Sequence, residues 1–365
     1  MLKKLEHWIK AAVFRLSTVF LKRGRPNGGL VDITHVKRVL FLRPEKIGDM
    51  VISLPVFDAL KEKCPHIGIS ILASPRSLPL VQDDPRFDQV FVYRKRLIRD
   101  IRELLAIRRE KFDCVLDMID DDSVTTLFYS QLASAGGIRI GIGKNHHADF
   151  YDYNHDHADG VGGHIVDNTL KLLEPFGIFG PAAKLSPPFV PEATTERVER
   201  WLAESAPVGL PLIGFNLSAG RPNRIWSAER SRALCETLLE ETDLRLIIIV
   251  APNDRTRGEE LIAYLNDRVV MVPPDLSLLE VSALISRLDL LISPDTSLIH
   301  IARSFGVAVV GLYSRATKNF RRWRPYRQDD GAVVGEHVDD IHDITAEQVV
   351  ERCRQVLGRL ATEKL

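Results

Sequence analysis

Ten residues near the C-terminal end, Ser293-Pro294-Asp295-Thr296-Ser297-Leu298-Ile299-His300-Ile301-Ala302, join an apolar, strand-like run to a helix-like one. The junction gathers hydroxyls, a carboxylate, an imidazole and the open backbone N–H groups of a helix N-terminus, which together make a seat for a diphosphate. A second charged junction lies far upstream, in Arg43-Pro44-Glu45-Lys46-Ile47-Gly48-Asp49 followed by Pro55. The first segment suits a leaving nucleotide and the second a base. On residue type alone Asp49 has two readings, general base or a carboxylate favoured by the start of a helix. Gly48 beside it permits close backbone approach.

A third segment, Asn216-Leu217-Ser218-Ala219-Gly220-Arg221-Pro222-Asn223-Arg224-Ile225-Trp226, follows another strand-like run. Arg224 can grip a phosphate bidentately, where lysine acts as a point charge; the alternative is a solvated loop anchored by Trp226. Arg315, Lys318, Arg321, Arg322, Arg324 and Arg327 cluster with Trp323 and Tyr326 and face phosphate or water. Asp120-Asp121-Asp122 reads as a hydrated turn and helix cap rather than a metal site. His146, His147, His155, His157 and His164 lack any spacing such as H-E-x-x-H, which points to contacts with a polar acceptor rather than metal ligation. Neither a G-x-x-x-x-G-K-[ST] loop nor a G-x-G-x-x-G turn is present, which removes the main support for ATPase and dinucleotide readings.

These junctions need a scaffold. At 365 residues the chain exceeds one ordinary core, so two domains are expected. Forty-nine Lys and Arg balance forty-nine Asp and Glu, so the whole-chain charge offers no argument for a nucleic-acid partner. Cys64, Cys114, Cys235 and Cys353 are widely spaced, as suits core thiols in a reducing compartment. No apolar run is long enough to span a bilayer and the N-terminus lacks a signal-peptide pattern, so a cytoplasmic location is expected. Leu2, Leu5, Trp8, Ile9, Ala12, Val13, Leu16, Val19 and Phe20 recur at helical spacing among Lys3, Lys4, Lys10, Arg15, Lys22, Arg23 and Arg25. Residues 1–28 therefore form an amphipathic basic helix that either lies on an anionic membrane surface or packs on the protein's own body.

Beyond the hinge at Pro26-Asn27-Gly28-Gly29, strand-like and helix-like segments alternate: strand 38–43, helix 49–63, strand 67–73, strand 89–93, a charged helix 95–110, strand 113–118, helix 123–134 and strand 138–140. Residues 141–164 break the rhythm as a long functional loop, and a helix follows over 164–177. Gly180, Pro181, Pro187, Pro188 and Pro191 mark an extended crossing segment. The rhythm then resumes with strand 211–217, helix 227–241, strand 244–250, helix 255–266, strand 268–272, helix 277–287, strand 288–292, helix 296–305, strand 307–313 and a last helix over 345–360. The resulting division is 1–28 for the basic helix, 36–180 and 209–344 for two Rossmann-like domains, 181–208 for the linker and 345–365 for the terminal helix. Ligands of such parallel sheets bind at the carboxyl ends of the strands.

Taken together, Ile47-Gly48-Asp49 with Pro55, and Asp295-Thr296-Ser297-Leu298-Ile299-His300 followed by Gly306 to Tyr313, resemble the two signatures of glycosyltransferase family 9, the ADP-heptose:lipopolysaccharide heptosyltransferases. The likeness extends from about residue 37 onward, through Asp117, Arg139-Ile140-Gly141, His164 and Arg224-Ile225-Trp226. It implies a GT-B fold, two Rossmann-like parallel-sheet domains facing across a cleft, and an inverting transfer without cofactor or bound metal. It implies Asp49 as the catalytic base, and Ser218, Arg224, Asp254, Asp295, Thr296, Ser297 and His300 as the donor-binding set. Ser297 stands where the family usually has glycine. Acceptor contacts are expected from Arg43, Lys46, Asp120, His146 and His164. The expected partners are a nucleotide-sugar, ADP-linked by the resemblance, a glycolipid acceptor, and the cytoplasmic face of the inner membrane through residues 1–25. Competing expectations are a related nucleotide-sugar epimerase or hydrolase and a non-catalytic sugar-nucleotide binding protein.

Overall fold

The computed structural model describes residues 21, 24, 29–134, 136–155, 163–182, 184–206 and 209–363, without the side chains of 97, 317–319 and 363. The basic helix expected over residues 1–28 lies outside the described residues, apart from Leu21 and Gly24, and so do His157 and the side chain of Lys318. The chain divides into two compact units. One holds the chain up to Lys46, Val56–Gly160 and Val166–Pro181, and the other holds Ile47–Pro55, Val161–Ile165 and Ala182–Leu365.

In the first unit the six strands β1 (Arg38–Arg43), β2 (Gly68–Ala73), β3 (Gln89–Val92), β4 (Cys114–Asp117), β5 (Ile138–Ile142) and β6 (Tyr153–His155) form a parallel sheet in the order β3-β2-β1-β4-β5-β6. Runs such as Val39–Leu42 are buried throughout, as strands covered on both faces must be. In register, Phe41 lies between Ile71 and Leu116. Helices α1 (Ile47–Lys63), α2 (Leu97–Glu110), α3 (Val124–Ala133) and α4 (Ile165–Leu170) connect or follow these strands.

The second unit carries β7 (Leu212–Asn216), β8 (Arg245–Ile249), β9 (Val269–Met271), β10 (Leu290–Pro294), β11 (Ala308–Tyr313) and β12 (Ala332–Val334) in the order β12-β11-β10-β7-β8-β9, again parallel. Read from β9, this is the same doubly wound order as in the first unit. In both sheets the chain reverses its direction of travel between the first and fourth strands, β1/β4 and β7/β10. Connecting loops diverge at that point and leave a crevice. Helices α5 (Glu192–Ser205), α6 (Ala228–Glu241), α7 (Arg255–Ile262), α8 (Leu278–Ile285), α9 (Ser297–Ser304), α10 (Thr317–Trp323) and α11 (Ala346–Glu363) complete the unit. The terminal helix is part of this core through Val349, Val350, Cys353 and Val356. All four cysteines are buried.

Four elements escape the pattern read from the sequence. Helix α5 occupies half of the segment expected as an extended linker over 181–208: the prolines stop at Pro191, and Val198 and Leu202 then bury one helical face. Strand β6 lies inside the expected loop 141–164, helix α10 lies where only a basic cluster was evident, and the short strand β12 follows that cluster in a stretch read without an element. The helix expected over 164–177 changes after Leu170 to a 3₁₀ segment, Lys171–Phe176, that contains Pro175.

Candidate active site

The crevice of the second sheet is built around Asn216, the last residue of β7. Its side-chain amide donates to Ser293 Oγ at 2.9 Å on β10, to Thr296 Oγ1 at 3.3 Å and to the Ser218 carbonyl at 3.0 Å, while its Oδ1 accepts from Ser218 N at 3.0 Å. Ser293 and Thr296 hydroxyls lie 3.0 Å apart. Thr296 is the N-cap of α9, yet its side chain makes no capping bond to that helix. The first turn of α9 therefore presents backbone N–H groups that no side chain caps, and the helix dipole adds partial positive charge there.

Arg224 reaches the same place from the β7–α6 connection. Its Nη1 donates to the Asp295 carbonyl at 2.8 Å and its Nη2 pairs with Asp295 Oδ2 at 2.7 Å. Asp295 thus positions the guanidinium, and the pair borders a cavity of about 100 Å³ lined also by Arg221, Asn223, Tyr313 and Phe320. Tyr313 is buried, which pushes its phenol well above the usual range, and it donates to the Trp323 carbonyl at 3.2 Å. On the other flank Ser218 Oγ accepts from Ala251 N at 2.8 Å, which ties the β8–α7 connection to the site. Asp254 lies three residues farther along that connection, partly exposed, at the N-cap of α7.

Asp49 belongs to the same unit. It is half-buried in the first turn of α1, and Ser53 Oγ donates to its carbonyl at 2.7 Å. The preceding Gly48 fixes what that turn meets. A Cβ placed on it would lie 3.6 Å from both His300 Cδ2 and Ser297 Cβ. The N-terminal turn of α1, which carries the carboxylate, therefore lies beside the N-terminal turn of α9, with space for one carbon between Gly48 and that turn.

His300 is 3% exposed, its ring centroid is 5.7 Å from that of Trp323, and its Nδ1 has no hydrogen-bond partner among the described residues. Burial, aided by the nearby His164, pushes its pKa down to about 3, so the imidazole is neutral at physiological pH. His164, which joins the second unit, binds the Arg324 carbonyl through Nε2 at 2.9 Å and packs on Tyr326 with centroids 4.7 Å apart. Those contacts tie it to the segment after α10. A pH dependence follows from His300. Its folded-state pKa is depressed below the unfolded value of about 6.5, so the unfolded chain binds the extra proton. Its contribution to stability is complete above pH 6.5 and is lost as pH falls toward 3, with a slope of up to about 1.4 kcal/mol per pH unit. Urea titrations between pH 4 and 7 are expected to show a shallower acid decline in His300→Gln than in the parent.

The first unit places the expected acceptor residues unevenly. Lys46 and His146 are exposed and Asp120 is half-buried. Arg43, however, is only 3% exposed, pairing with Glu45 at 2.7 Å and donating to the Met118 carbonyl at 2.6 Å. It bridges β1 and the residue that follows β4. In the acidic run, Asp122 accepts the backbone N–H groups of Asn145, His146 and His147 at 3.0, 2.9 and 3.1 Å, and its pKa is lowered. The cap of α3 is Ser123, not an aspartate. Among the described residues no three His, Cys, Asp or Glu side chains converge on a possible metal position.

One cluster in this unit has no motif to announce it. Lys144 Nζ, fully buried, lies 2.9 Å from Asp117 Oδ2 and donates to the carbonyls of Ile119 at 2.5 Å and Asp121 at 2.8 Å. Tyr151 donates to the same carboxylate at 2.5 Å. Asp117 ends β4 and Lys144 follows β5, so the network fastens the 119–122 turn to the 144–151 segment.

Known proteins match this arrangement. The profile of glycosyltransferase family 9 (heptosyltransferase) covers residues 101–353. Lipopolysaccharide heptosyltransferase 3 of Escherichia coli is 22% identical over 298 residues, 76% of this chain and 83% of that protein. Among solved structures, a family 9 glycosyltransferase from Veillonella parvula superposes with a TM-score of 0.75 at 19% identity, covering 88% of this chain and 97% of the other. The ADP-heptose lipopolysaccharide heptosyltransferase II of Escherichia coli gives 0.70 at 18% identity, with 89% and 99% covered. These likenesses support a GT-B arrangement of two Rossmann-like sheets and disfavour the epimerase and hydrolase readings. With more than two-thirds of its length inside the family profile, the chain belongs to glycosyltransferase family 9, the heptosyltransferases, and is a glycosyltransferase.

Proposed function

We propose that this glycosyltransferase moves heptose from ADP-heptose to the core sugars of a lipopolysaccharide or a related glycolipid, with inversion at the anomeric carbon and without a metal. The observation that carries the reading is the position of the Asp49 turn beside the first turn of α9, where a Cβ added at Gly48 would lie 3.6 Å from Ser297 Cβ and His300 Cδ2. Asp49 takes the proton of the acceptor hydroxyl as its oxygen bonds to the anomeric carbon. The bond from that carbon to the diphosphate breaks, and the electron pair leaves with the nucleotide. Inversion follows from attack opposite the departing group. The charge that grows on the leaving diphosphate meets the N–H groups of α9 and the Arg224 guanidinium, in the manner of an oxyanion site. In this reading Ser218, Thr296, Ser297 and neutral His300 border the same seat, and Asp254 holds the donor ribose.

The donor and acceptor assignments are supported by the family and by the names of its relatives. A peripheral position on the cytoplasmic face of the inner membrane, through residues 1–25, suits a glycolipid acceptor. No described helix is long and apolar enough to cross a membrane. A thermal-shift panel of nucleoside diphosphates and their sugars tests the donor. ADP and ADP-heptose should raise the melting temperature in a concentration-dependent way, whereas UDP and GDP should not. In Arg224→Ala the ADP shift should shrink and turnover should fall by about 10² to 10³. A panel in which UDP or GDP alone stabilises the parent would discard the ADP-heptose assignment.

A further inference from the structure

Helix α2 carries a surface that the transfer reaction does not use. Ile98, Ile101 and Leu105 are 70%, 47% and 50% exposed, although the opposite side of the helix is packed through Ile107 at 0%. Their spacing sets the three on one stripe pointing to solvent. Three large aliphatic side chains aligned in water are unlike isolated exposed apolar residues, which need no explanation.

The charges around this stripe are of one sign. Arg99, Arg102, Arg108 and Arg109 are exposed on the same helix, and Lys95, Arg96 and Lys111 are exposed at its two ends. From Arg94 to Lys111 there are eight cations and three carboxylates. The carboxylates are turned to other work: Asp100 accepts from the backbone of Arg94 and Arg96 at 2.8 and 2.7 Å, Glu103 accepts from Val92 N at 2.6 Å, and Glu110 pairs with Arg38 at 3.4 Å. Lys95 and Lys111 both have positive φ, 56° and 51°, where glycine or asparagine is the usual residue. The chain keeps a cation at each of these places.

We propose that the outer face of α2 is a docking surface for an anionic phospholipid bilayer, with Ile98, Ile101 and Leu105 entering the headgroup boundary and the arginines meeting lipid phosphates. An apolar stripe flanked by long cationic side chains is the pattern of a helix lying in the plane of a membrane interface. A protein partner of mixed charge would leave so uniform a cationic rim unmatched. This surface is separate from residues 1–25 and stands whether or not that segment binds lipid.

The four native cysteines are buried, so Ile98→Cys in the full chain can be labelled selectively with an environment-sensitive fluorophore; Tyr264→Cys, on a 65% exposed residue of the second unit, is the control. With phosphatidylglycerol vesicles the label at 98 is expected to shift to the blue and brighten, with little change on phosphatidylcholine and little at 264. Replacing Arg102, Arg108 and Arg109 with glutamine should weaken vesicle partitioning measured through that label by roughly 10²-fold, at an unchanged melting temperature. A chain that does not bind phosphatidylglycerol vesicles, or that binds while the label at 98 keeps its aqueous emission, overturns the proposal. A vesicle-independent blue shift that follows protein concentration would assign the face to a second copy instead, and overturns it equally.

Discussion

Asp49→Ala is expected to lower kcat by about 10² to 10⁴, the usual contribution of a positioned general base, while ADP binding stays close to that of the parent. The separation follows from what each group touches. In the parent, Arg224 is held by the Asp295 carbonyl and carboxylate, and Thr296 at the start of α9 by Asn216. Removing the Asp49 carboxylate takes away the acceptor for a proton and leaves those contacts in place. Single-turnover measurement of sugar transfer, alongside calorimetric titration of ADP, reads the two quantities independently. The competing role, an acidic residue stabilised by the start of α1, makes a different forecast. Loss of a favourable helix-dipole contact costs about 0.3 to 1 kcal/mol of stability and does not touch chemistry. Near-normal kcat with a slightly lower melting temperature would therefore return Asp49 to the capping role. Asp49→Asn sharpens the comparison, since it keeps the shape and a hydrogen-bonding oxygen but cannot take the proton.

The second large effect concerns stability, not turnover. Lys144→Met should destabilise the first unit by about 3 to 5 kcal/mol, because it leaves the Asp117 carboxylate buried without its cation. Lys144 and Asp117 side chains are both 0% exposed. The carbonyls of Ile119 and Asp121 lose their donor at the same time. Combining Lys144→Met with Asp117→Leu and Tyr151→Phe removes the stranded charge and the phenol that faces it. The combined variant should recover part of the loss, since apolar replacement of a buried ionic cluster is often close to neutral. Equilibrium urea unfolding followed by circular dichroism measures both; a single Lys144→Met variant within 1 kcal/mol of the parent would show that the network contributes little.

The legible parts of this chain are those set by neighbours in sequence. The parallel strands announce themselves as continuous apolar runs because burial on both faces leaves no room for alternation. The boundary of β1 at Arg38–Arg43, and the polar junctions at 293–300 and 216–226, could be read because strands of such sheets deliver chemistry at their carboxyl ends. Helix α5 was hidden by the prolines before it, and β6 and β12 are three residues each, too short for a periodic signal. The polar residue closing an apolar strand, Asn216, was visible as a type but not as the hub of the site.

The amino-acid order alone was enough to determine two doubly wound α/β units and to set the polar run Asp295–His300 and the carboxylate of Asp49 at strand-to-helix junctions, because hydrophobic periodicity and helix-terminus chemistry act over a few residues. Tertiary structure decided which charged groups remain available. Arg43 is turned inward to Met118, Asp122 is taken up by the amides of 145–147, and Lys144 finds Asp117 across strands separated by more than twenty residues. A buried charge must be met by whatever partner the packing brings within about 3 Å, and that partner is set by strand order and register, which no local pattern encodes. The approach of Gly48 to Ser297 and His300 belongs to the same class: it joins residues some 250 positions apart, and only the folded chain could bring them together.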